Sequence, residues 1–289
     1  MISIFSMAEN NYKLTEKENL NIARKSKTNF LYSTFFLNKE KSNALKAVYS
    51  FCRLSDDIVD NTDVSIDERV KNLNTWREKF NSALKGNSED DSLIYLMKLI
   101  RKYKIDEQYF LYILDGMEMD LNKNRYRNFD ELKKYCFCVA SAVGLIFIRI
   151  AGFKSEKTND YAINLGIALQ LTNILRDIKK DALNGRIYLP ADELIKFNYS
   201  ENEILNNVYN DKFIELMKYQ TALAKSYYLT AREKLDKADY RPMLPARIID
   251  RTYFNILTDI ERKNFDIYNR NIRISKLKKI FIPFRELIR

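Results

Sequence analysis

Two short segments concentrate acidic side chains at helical spacing. The first, YSFCRLSDDIVDN, places Asp56, Asp57 and Asp60 within five residues. Side chains three or four residues apart share one face of an α-helix. If this segment is helical, Asp57 lies about 100° away from Asp56 around the helix axis. One polar stripe then contains an aromatic ring, a guanidinium and two carboxylates: Tyr49, Arg53, Asp56 and Asp60.

A second segment, ALQLTNILRDIKKDALNGRIYLP, repeats this arrangement. Its stripe follows steps of three, four and four residues, and Arg176 adjoins it. Apolar neighbours flank the two amides, and an unpaired amide among apolar groups costs stability. The residues of this second stripe are Gln170, Asn173, Asp177 and Asp181.

The two stripes together predict a magnesium–diphosphate site. Two facing carboxylate pairs offer oxygen ligands for Mg²⁺, which keeps several waters and accepts phosphate oxygens. Mn²⁺ is an alternative ion, and Arg53 and Arg176 could complete a diphosphate clamp. Metal charge helps diphosphate to leave, and an allylic cation remains. For one motif alone, the alternative of a solvated helix face is the stronger interpretation, but a second motif favours the site.

An allylic cation requires a water-poor pocket with aromatic faces or dipoles around it. At any single aromatic position, packing in the protein core is the alternative role. The aromatic residues that could line such a pocket are Phe30, Phe35, Phe36, Tyr49, Tyr135, Phe137 and Tyr253.

Composition indicates a single all-α domain. The 289 residues include only 6 glycines and 4 prolines, which predicts long helices and few tight turns. Residues 1–20 read as a polar leader and 21–289 as one domain. Helices are predicted for 38–61, for SIDERVKNLNTWREKFNSALKG, and for 91–103, 106–123, 129–152, 156–182, 211–236 and 243–268, with a loop at NGRIYLPADEL.

Charge and residue usage exclude several classes of function. The net charge of +10 suits an anionic partner, but its basic residues are scattered and nucleic-acid binding is not expected. The absence of histidine excludes imidazole bases and histidine zinc sites. Three cysteines without metal spacing indicate a reduced, cytoplasmic compartment. The apolar segment VASAVGLIFIRIAGF is interrupted by Arg149 and reads as a buried helix.

These motifs resemble those of the squalene/phytoene synthase family of head-to-head (1′–1) isoprenoid synthases. The resemblance extends from about Lys25 to Lys279. It rests on YSFCRLSDDIVD, DGMEMDLNKNRY, YCFCVASAVGL, LGIALQLTNILRDIKKDALNGRIYLP and SKLKKIF. It implies an all-α isoprenoid synthase fold around a central cavity, in which two prenyl diphosphates are condensed through a cyclopropyl intermediate.

The resemblance also implies roles for individual residues. Asp56, Asp60, Asp177 and Asp181 would bind Mg²⁺ and the diphosphates, and Arg53 and Arg176 would contact phosphate oxygens. Gln170 and Asn173 would line the site, and Tyr49 and Tyr135 would lie beside the reacting carbons. Asp120 would be a further site acid and Tyr253 a further aromatic. Looser matches assign phosphate contacts to Lys27, Thr28, Asn29, Lys276 and Lys278, with a solvated surface as the alternative for the last two.

The chain departs from the family pattern at Lys179 and Lys180, where a Gly-Glu pair is common. Both positions lie off the second stripe, so we expect them on the outer face of the helix.

Product choice depends on small differences in the motifs. NILRD and VASAVGL resemble presqualene diphosphate synthases, which favours two farnesyl diphosphates (C30) over two geranylgeranyl diphosphates (C40, phytoene). No nucleotide-binding fingerprint is present, so no use of NADPH is expected.

Two further alternatives come from other classes of protein. One is a scaffold relative that has lost its chemistry, which the intact aspartates disfavour. The other is peripheral binding to a membrane surface, on the inner face, by the basic and apolar tail RNIRISKLKKIFIPFRELIR.

Overall fold

The computed structural model describes residues 36–288, with the backbone only at Lys276, Leu277, Lys279 and Ile280. That range is helical and contains no β-strand, which confirms the all-α prediction. The helices are α1 (Lys39–Asp60), α2 (Ile66–Leu84), α3 (Asp91–Tyr103), α4 (Gln108–Asn122), α5 (Phe129–Cys136), α6 (Ala142–Ala151), α7 (Lys157–Leu183), α8 (Ala191–Lys196), α9 (Glu201–Leu205), α10 (Asp211–Lys234), α11 (Leu244–Arg262) and α12 (Lys276–Ile288).

Helix α1 carries the first acidic motif and is fixed by its apolar face. Asn38 caps its N-terminus by accepting a hydrogen bond from the Lys41 amide at 2.9 Å. Inside, Phe51 packs edge-on against Phe110 with ring centroids 5.2 Å apart, and also contacts Trp76. The Trp76 indole N–H donates to Ser55 Oγ at 3.0 Å. These contacts leave the acidic stripe on the opposite side of the helix.

Helix α7 carries the second acidic motif and crosses the middle of the fold. It packs against α6, α10 and α11, so its apolar residues are buried along most of its length. The buried Thr172 and Tyr228 hydroxyls lie 2.9 Å apart and tie α7 to α10. The stripe with the amides and aspartates stays half-buried between these contacts.

The helix predicted over 129–152 contains a π-helical segment, Phe137–Ser141, between α5 and α6. Such segments widen the helix locally and re-aim side chains. Here α7 approaches very closely, because a Cβ placed on Gly166 would lie 2.5 Å from the Ser141 Cα. Glycine at 166 therefore allows the two helices to meet at the bend.

The stretch Phe129–Ala151 is, by length and composition, long and apolar enough to cross a membrane. More than half of its most apolar window is buried inside the protein, where it packs on α4 and α7. Burial of this kind is typical of a core helix, in agreement with the sequence prediction.

The predicted helix 243–268 ends earlier, at Arg262. Asn264 and Phe265 adopt left-handed φ values of 53° and 63°. The Phe265 amide donates to the Ile260 carbonyl at 2.8 Å, which closes the helix end. Periodicity alone gives no indication of this reversal, because apolar residues recur in the next segment at Phe265, Ile267 and Tyr268.

Asp239 fixes the start of α7, although its side chain comes from the short 3₁₀ turn Lys237–Asp239. This fully buried carboxylate accepts hydrogen bonds from the Lys154 amide (2.7 Å), the Ser155 amide (3.0 Å) and the Thr158 hydroxyl (2.6 Å). Burial acts to raise its pKa, but the three donors together lower the pKa below its ordinary value.

We predict that Asp239→Ala lowers the free energy of unfolding by about 3 kcal/mol, because three donors lose their acceptor. Urea denaturation would measure it. Asp236→Ala, which removes one exposed hydrogen bond to the Ala238 amide, should cost much less. Because the folded-state pKa of Asp239 is lowered, its contribution is complete above about pH 4 and declines as the pH falls through that lowered pKa. Equal costs for the two variants would contradict this role.

Candidate active site

The two acidic stripes lie close to one another, and Asp120 of α4 is a neighbour of both. Burial, together with the charge of the neighbouring Asp60, raises the pKa of Asp56 to about 6. Burial and the charge of Asp177 together raise the pKa of Asp181 to about 7. Asp120 acts electrostatically on both of these carboxyls, so the stripes and α4 share one concentration of negative charge.

A cluster of three tyrosines packs around Asp120, and two of them donate hydrogen bonds to it. Its two carboxylate oxygens accept hydrogen bonds from Tyr188 at 2.7 Å and from Tyr135 at 3.0 Å. The rings of these two tyrosines stack with centroids 5.2 Å apart, and Tyr126 stacks on Tyr188. Burial raises the pKa of all three phenols, so they remain neutral, and Tyr135 and Tyr188 act as the hydroxyl donors.

Tyr135 is 4% exposed and lies in this tyrosine cluster. The family resemblance predicts a position beside the reacting carbons, whereas in the structure the Tyr135 hydroxyl donates to Asp120. Helical periodicity does not distinguish these two roles of Tyr135, because either role requires the side chain to lie on the inner face of α5.

Arg186 joins the two motifs, and sequence reasoning missed it. Its guanidinium pairs with Asp60 at 3.2 Å and acts electrostatically on Asp120 and Asp181. The loop after α7 places it there, because Gly185 adopts a φ of 76° that favours glycine. The sequence feature that could have indicated it is its place in the motif segment NGRIYLP, five positions after Asp181.

Arg53 and Arg176 pair with aspartates of their own helices. Arg53 contacts Asp56 at 3.0 Å and also pairs with Asp57. Arg176 forms a two-pronged contact with Asp177, at 2.8 Å from Nε to Oδ1 and 2.5 Å from Nη2 to Oδ2. Both arginines therefore lie at the site as predicted, and in this arrangement they offset part of its negative charge.

An apolar cavity opens beside the amides of the second stripe. Gln170 and Asn173 are among its few polar lining residues. Tyr253 also lines it and hydrogen bonds to Arg176, which places the aromatic ring between the cavity and the charged site. Its remaining lining residues are Val139, Ala140, Val143, Gly144, Phe147, Ile148, Tyr161, Ala162, Leu165, Gly166, Leu169, Ala246 and Ile249.

Of the aromatic residues predicted to line a pocket, only Tyr253 does so among those that the structure describes. Phe30 and Phe35 lie outside the described residues. Tyr49 is half-buried on α1 and interacts electrostatically with Arg53. Phe137 packs edge-on against Tyr112, and Phe36 is exposed. Phe147 and Tyr161 take the predicted role instead, because the π-helical segment and Gly166 bring their helices together around the cavity.

The residues at the acidic site fit a divalent cation with oxygen ligands. In residues 36–288, no three acidic or cysteine side chains are already arranged as a complete metal site. The raised pKa values of Asp56 and Asp181 nevertheless report negative charge that the arginines do not fully offset. Asn173 Oδ1 is buried without a hydrogen-bond partner on the same helix face. A hard cation that takes few protein ligands and further oxygens from phosphate suits this donor set.

The predicted phosphate contacts outside the two stripes have different outcomes. Lys27, Thr28 and Asn29 lie outside the described residues, as does the side chain of Lys276. Lys278 donates to Asn255 Oδ1 at 3.2 Å in a separate cleft, on the face of α11 turned away from the cavity. Its predicted phosphate contact is therefore not supported by the structure. Lys179 and Lys180 are exposed, as expected, and Lys179 donates to the Tyr268 carbonyl at 2.9 Å.

Comparison with known proteins gives the same family as the motifs. Residues 23–278 match the family described as squalene/phytoene synthase. A 15-cis-phytoene synthase from Synechococcus elongatus is 33% identical over 270 residues, covering 89% of this chain and 87% of that protein.

Solved structures show the same fold. A crystal structure of a dehydrosqualene synthase superposes with a TM-score of 0.83 at 20% identity, covering 94% of this chain and 95% of that one. A squalene synthase from Alicyclobacillus acidocaldarius gives a TM-score of 0.80 at 22% identity, covering 87% and 94%. The chain belongs to the squalene/phytoene synthase family and is thus a prenyltransferase that acts on prenyl diphosphates by head-to-head condensation.

Proposed function

We propose that this protein is a phytoene synthase that condenses two geranylgeranyl diphosphates to a C40 product. The observation that carries the proposal is the 33% identity to a 15-cis-phytoene synthase over nearly the whole of both chains. The two solved relatives named for C30 products are only 20% and 22% identical.

The sequence interpretation favoured a C30 product, from NILRD and VASAVGL. Those two strings cover few residues and lie on α7 and around the π-helical segment, where packing constrains the side chains. Agreement along 270 residues outweighs them, so we replace the C30 interpretation by its C40 alternative.

The chemistry that we propose begins at the acidic site. Asp56, Asp60, Asp177 and Asp181 would hold Mg²⁺, which supplies positive charge to the departing diphosphate. Arg186, Arg53 and Arg176 would orient phosphate oxygens by charge-assisted hydrogen bonds. When the carbon–oxygen bond breaks, its electron pair leaves with the diphosphate, and the allylic carbon keeps the positive charge.

The cavity would protect that cation from water. Its lining is almost entirely apolar, and the side chains nearest the charged site are Gln170, Asn173 and Tyr253. The amide oxygens and the ring face can stabilise positive charge without reacting with it. With water excluded, the π electrons of the second prenyl chain's double bond can attack the cation and form the carbon–carbon bond, and loss of a proton closes the cyclopropyl intermediate that the family resemblance implies.

The first test is product formation from separate incubations with farnesyl and geranylgeranyl diphosphate in the presence of Mg²⁺. We expect mass spectrometry to detect a C40 hydrocarbon from geranylgeranyl diphosphate, with no requirement for NADPH. A C30 product formed more efficiently from farnesyl diphosphate would overturn the chain-length proposal but keep the family. No diphosphate release from either substrate, with folded protein, would favour the scaffold alternative.

We predict that Asp56→Asn and Asp177→Asn each reduce turnover by about 100-fold or more, since each removes charge from a metal-binding pair. Folding should be unchanged or slightly improved, because crowded carboxylates repel one another. Asp57→Asn is the matched control, since Asp57 lies on the same helix but off the stripe and is half exposed. Diphosphate release and circular dichroism measure the two effects. Near-normal turnover of either stripe variant at saturating Mg²⁺ would refute the site.

Small side chains along the cavity predict a length-dependent effect on substrates. Ala246 of α11 lines the cavity, so Ala246→Phe should shorten the space for a prenyl chain. We expect kcat/KM for geranylgeranyl diphosphate to fall at least tenfold more than kcat/KM for farnesyl diphosphate. Ala222→Phe, on an exposed position of α10, is the control. An equal loss for both substrates would indicate general damage and not a length limit.

A further inference from the structure

The last helix, α12, exposes a continuous apolar face. Phe281, Phe284, Leu287 and Ile288 are 65%, 64%, 54% and 74% exposed. At 100° per residue these four side chains span about 120° of the helix circumference. Large apolar residues clustered on one exposed face mark an interaction surface, whereas scattered ones do not.

Positive charge borders this apolar face. Lys278 and Arg285 are exposed and lie next to each other at one edge of the apolar arc, and the exposed Lys278 ammonium also donates to Asn255 of α11. The helix carries a single acidic residue, Glu286, and this residue is 3% exposed and points inward. The outer surface of α12 therefore combines aromatic and aliphatic side chains with basic ones and presents no carboxylate.

A buried ion-pair cluster fixes which face points outward. The Glu286 carboxylate pairs with Arg247 at 2.7 Å and with Arg251 at 3.2 Å, and the Arg247 guanidinium is 10% exposed. Breaking such a buried pair leaves an uncompensated charge, so the helix resists rotation about its axis. Exposure of the phenylalanines is consequently a property of the docked helix.

Both arginines come from α11, the helix that forms one wall of the apolar cavity. Ala246, Ile249 and Tyr253 line the cavity from one face of α11. Arg247 and Arg251 project from roughly the opposite face, because they lie 120–160° around the helix from Tyr253. Helix α12 therefore covers the outer side of the cavity wall.

We propose that α12 is an interfacial helix that docks the protein on an anionic lipid surface. Phe281 and Phe284 enter the boundary between headgroups and acyl chains, and Lys278 and Arg285 contact lipid phosphates. Charge selects this occupant over a second copy of the chain. Two copies of the face, related by a two-fold axis, would bring basic edges together without a carboxylate to pair them. Docking here places the outer wall of the cavity next to the membrane.

The test is co-sedimentation of the full chain, without substrate, with vesicles of phosphatidylcholine alone or with about one third phosphatidylglycerol. We expect binding to the anionic vesicles that weakens with added salt.

The double variant Phe281→Ser/Phe284→Ser should lose at least tenfold in the vesicle partition coefficient, and Lys278→Gln/Arg285→Gln should lose most of its preference for anionic lipid. Ile195→Ser/Leu205→Ser, at exposed apolar positions on α8 and α9, is the matched control.

Binding that is equal for the wild type and the Phe281/Phe284 variant would overturn the proposal, as would equal loss in the Ile195/Leu205 control. A dimer in sedimentation velocity that the Phe281/Phe284 variant dissociates, without vesicle binding by the wild type, would assign the face to a second copy instead. Circular dichroism of each variant establishes that α12 and the core remain folded. Because no substrate is present, the result is independent of the chain-length proposal.

Discussion

Repulsion between carboxylates at the mouth of an apolar cavity is the constraint on which the rest of this structure depends. Asp56, Asp120 and Asp181 come from three helices, and their raised pKa values show that burial and like charge oppose ionisation. Isolated buried charges of this kind are normally avoided. Arginines and tyrosine hydroxyls offset part of the cost, and in the function that we propose a bound cation would offset the remainder.

The scaffold must hold these acids close together against their repulsion. Helix α7 does so because it is packed on most sides, with its start tied to Asp239 and its middle pressed against the π-helical segment through Gly166. Helix α1 is fixed by the aromatic contacts of Phe51. Packing therefore fixes the positions of the aspartates on both helices. Asp120 on α4 is held in addition by hydrogen bonds from Tyr135 and Tyr188.

Helix α11 connects the inside of the protein to its outside. One face lines the cavity with small and aromatic side chains, and roughly opposite it the two arginines hold α12. This arrangement suits a substrate with a long apolar chain and a charged head, because the apolar cavity and the acidic site adjoin at Tyr253 and Arg176. The amphiphilic helix α12 lies on the outer side of the same wall, where we propose that it contacts lipid.

The sequence by itself determined the helices, the two stripes and the family, because helical periodicity and the residue types in the motifs are local properties. The positions of Asp56, Asp60, Asp177 and Asp181 follow from spacing alone. Tertiary structure decided which side chains contact one another. Arg186 pairs with Asp60, 126 positions earlier in the chain, and Tyr135 donates a hydrogen bond to Asp120. Lys278 contacts Asn255 on the face of α11 that points away from the cavity. Such contacts depend on how helices cross and on where a residue with left-handed φ reverses the chain. Both depend on packing between distant segments, so the sequence of one segment does not determine them.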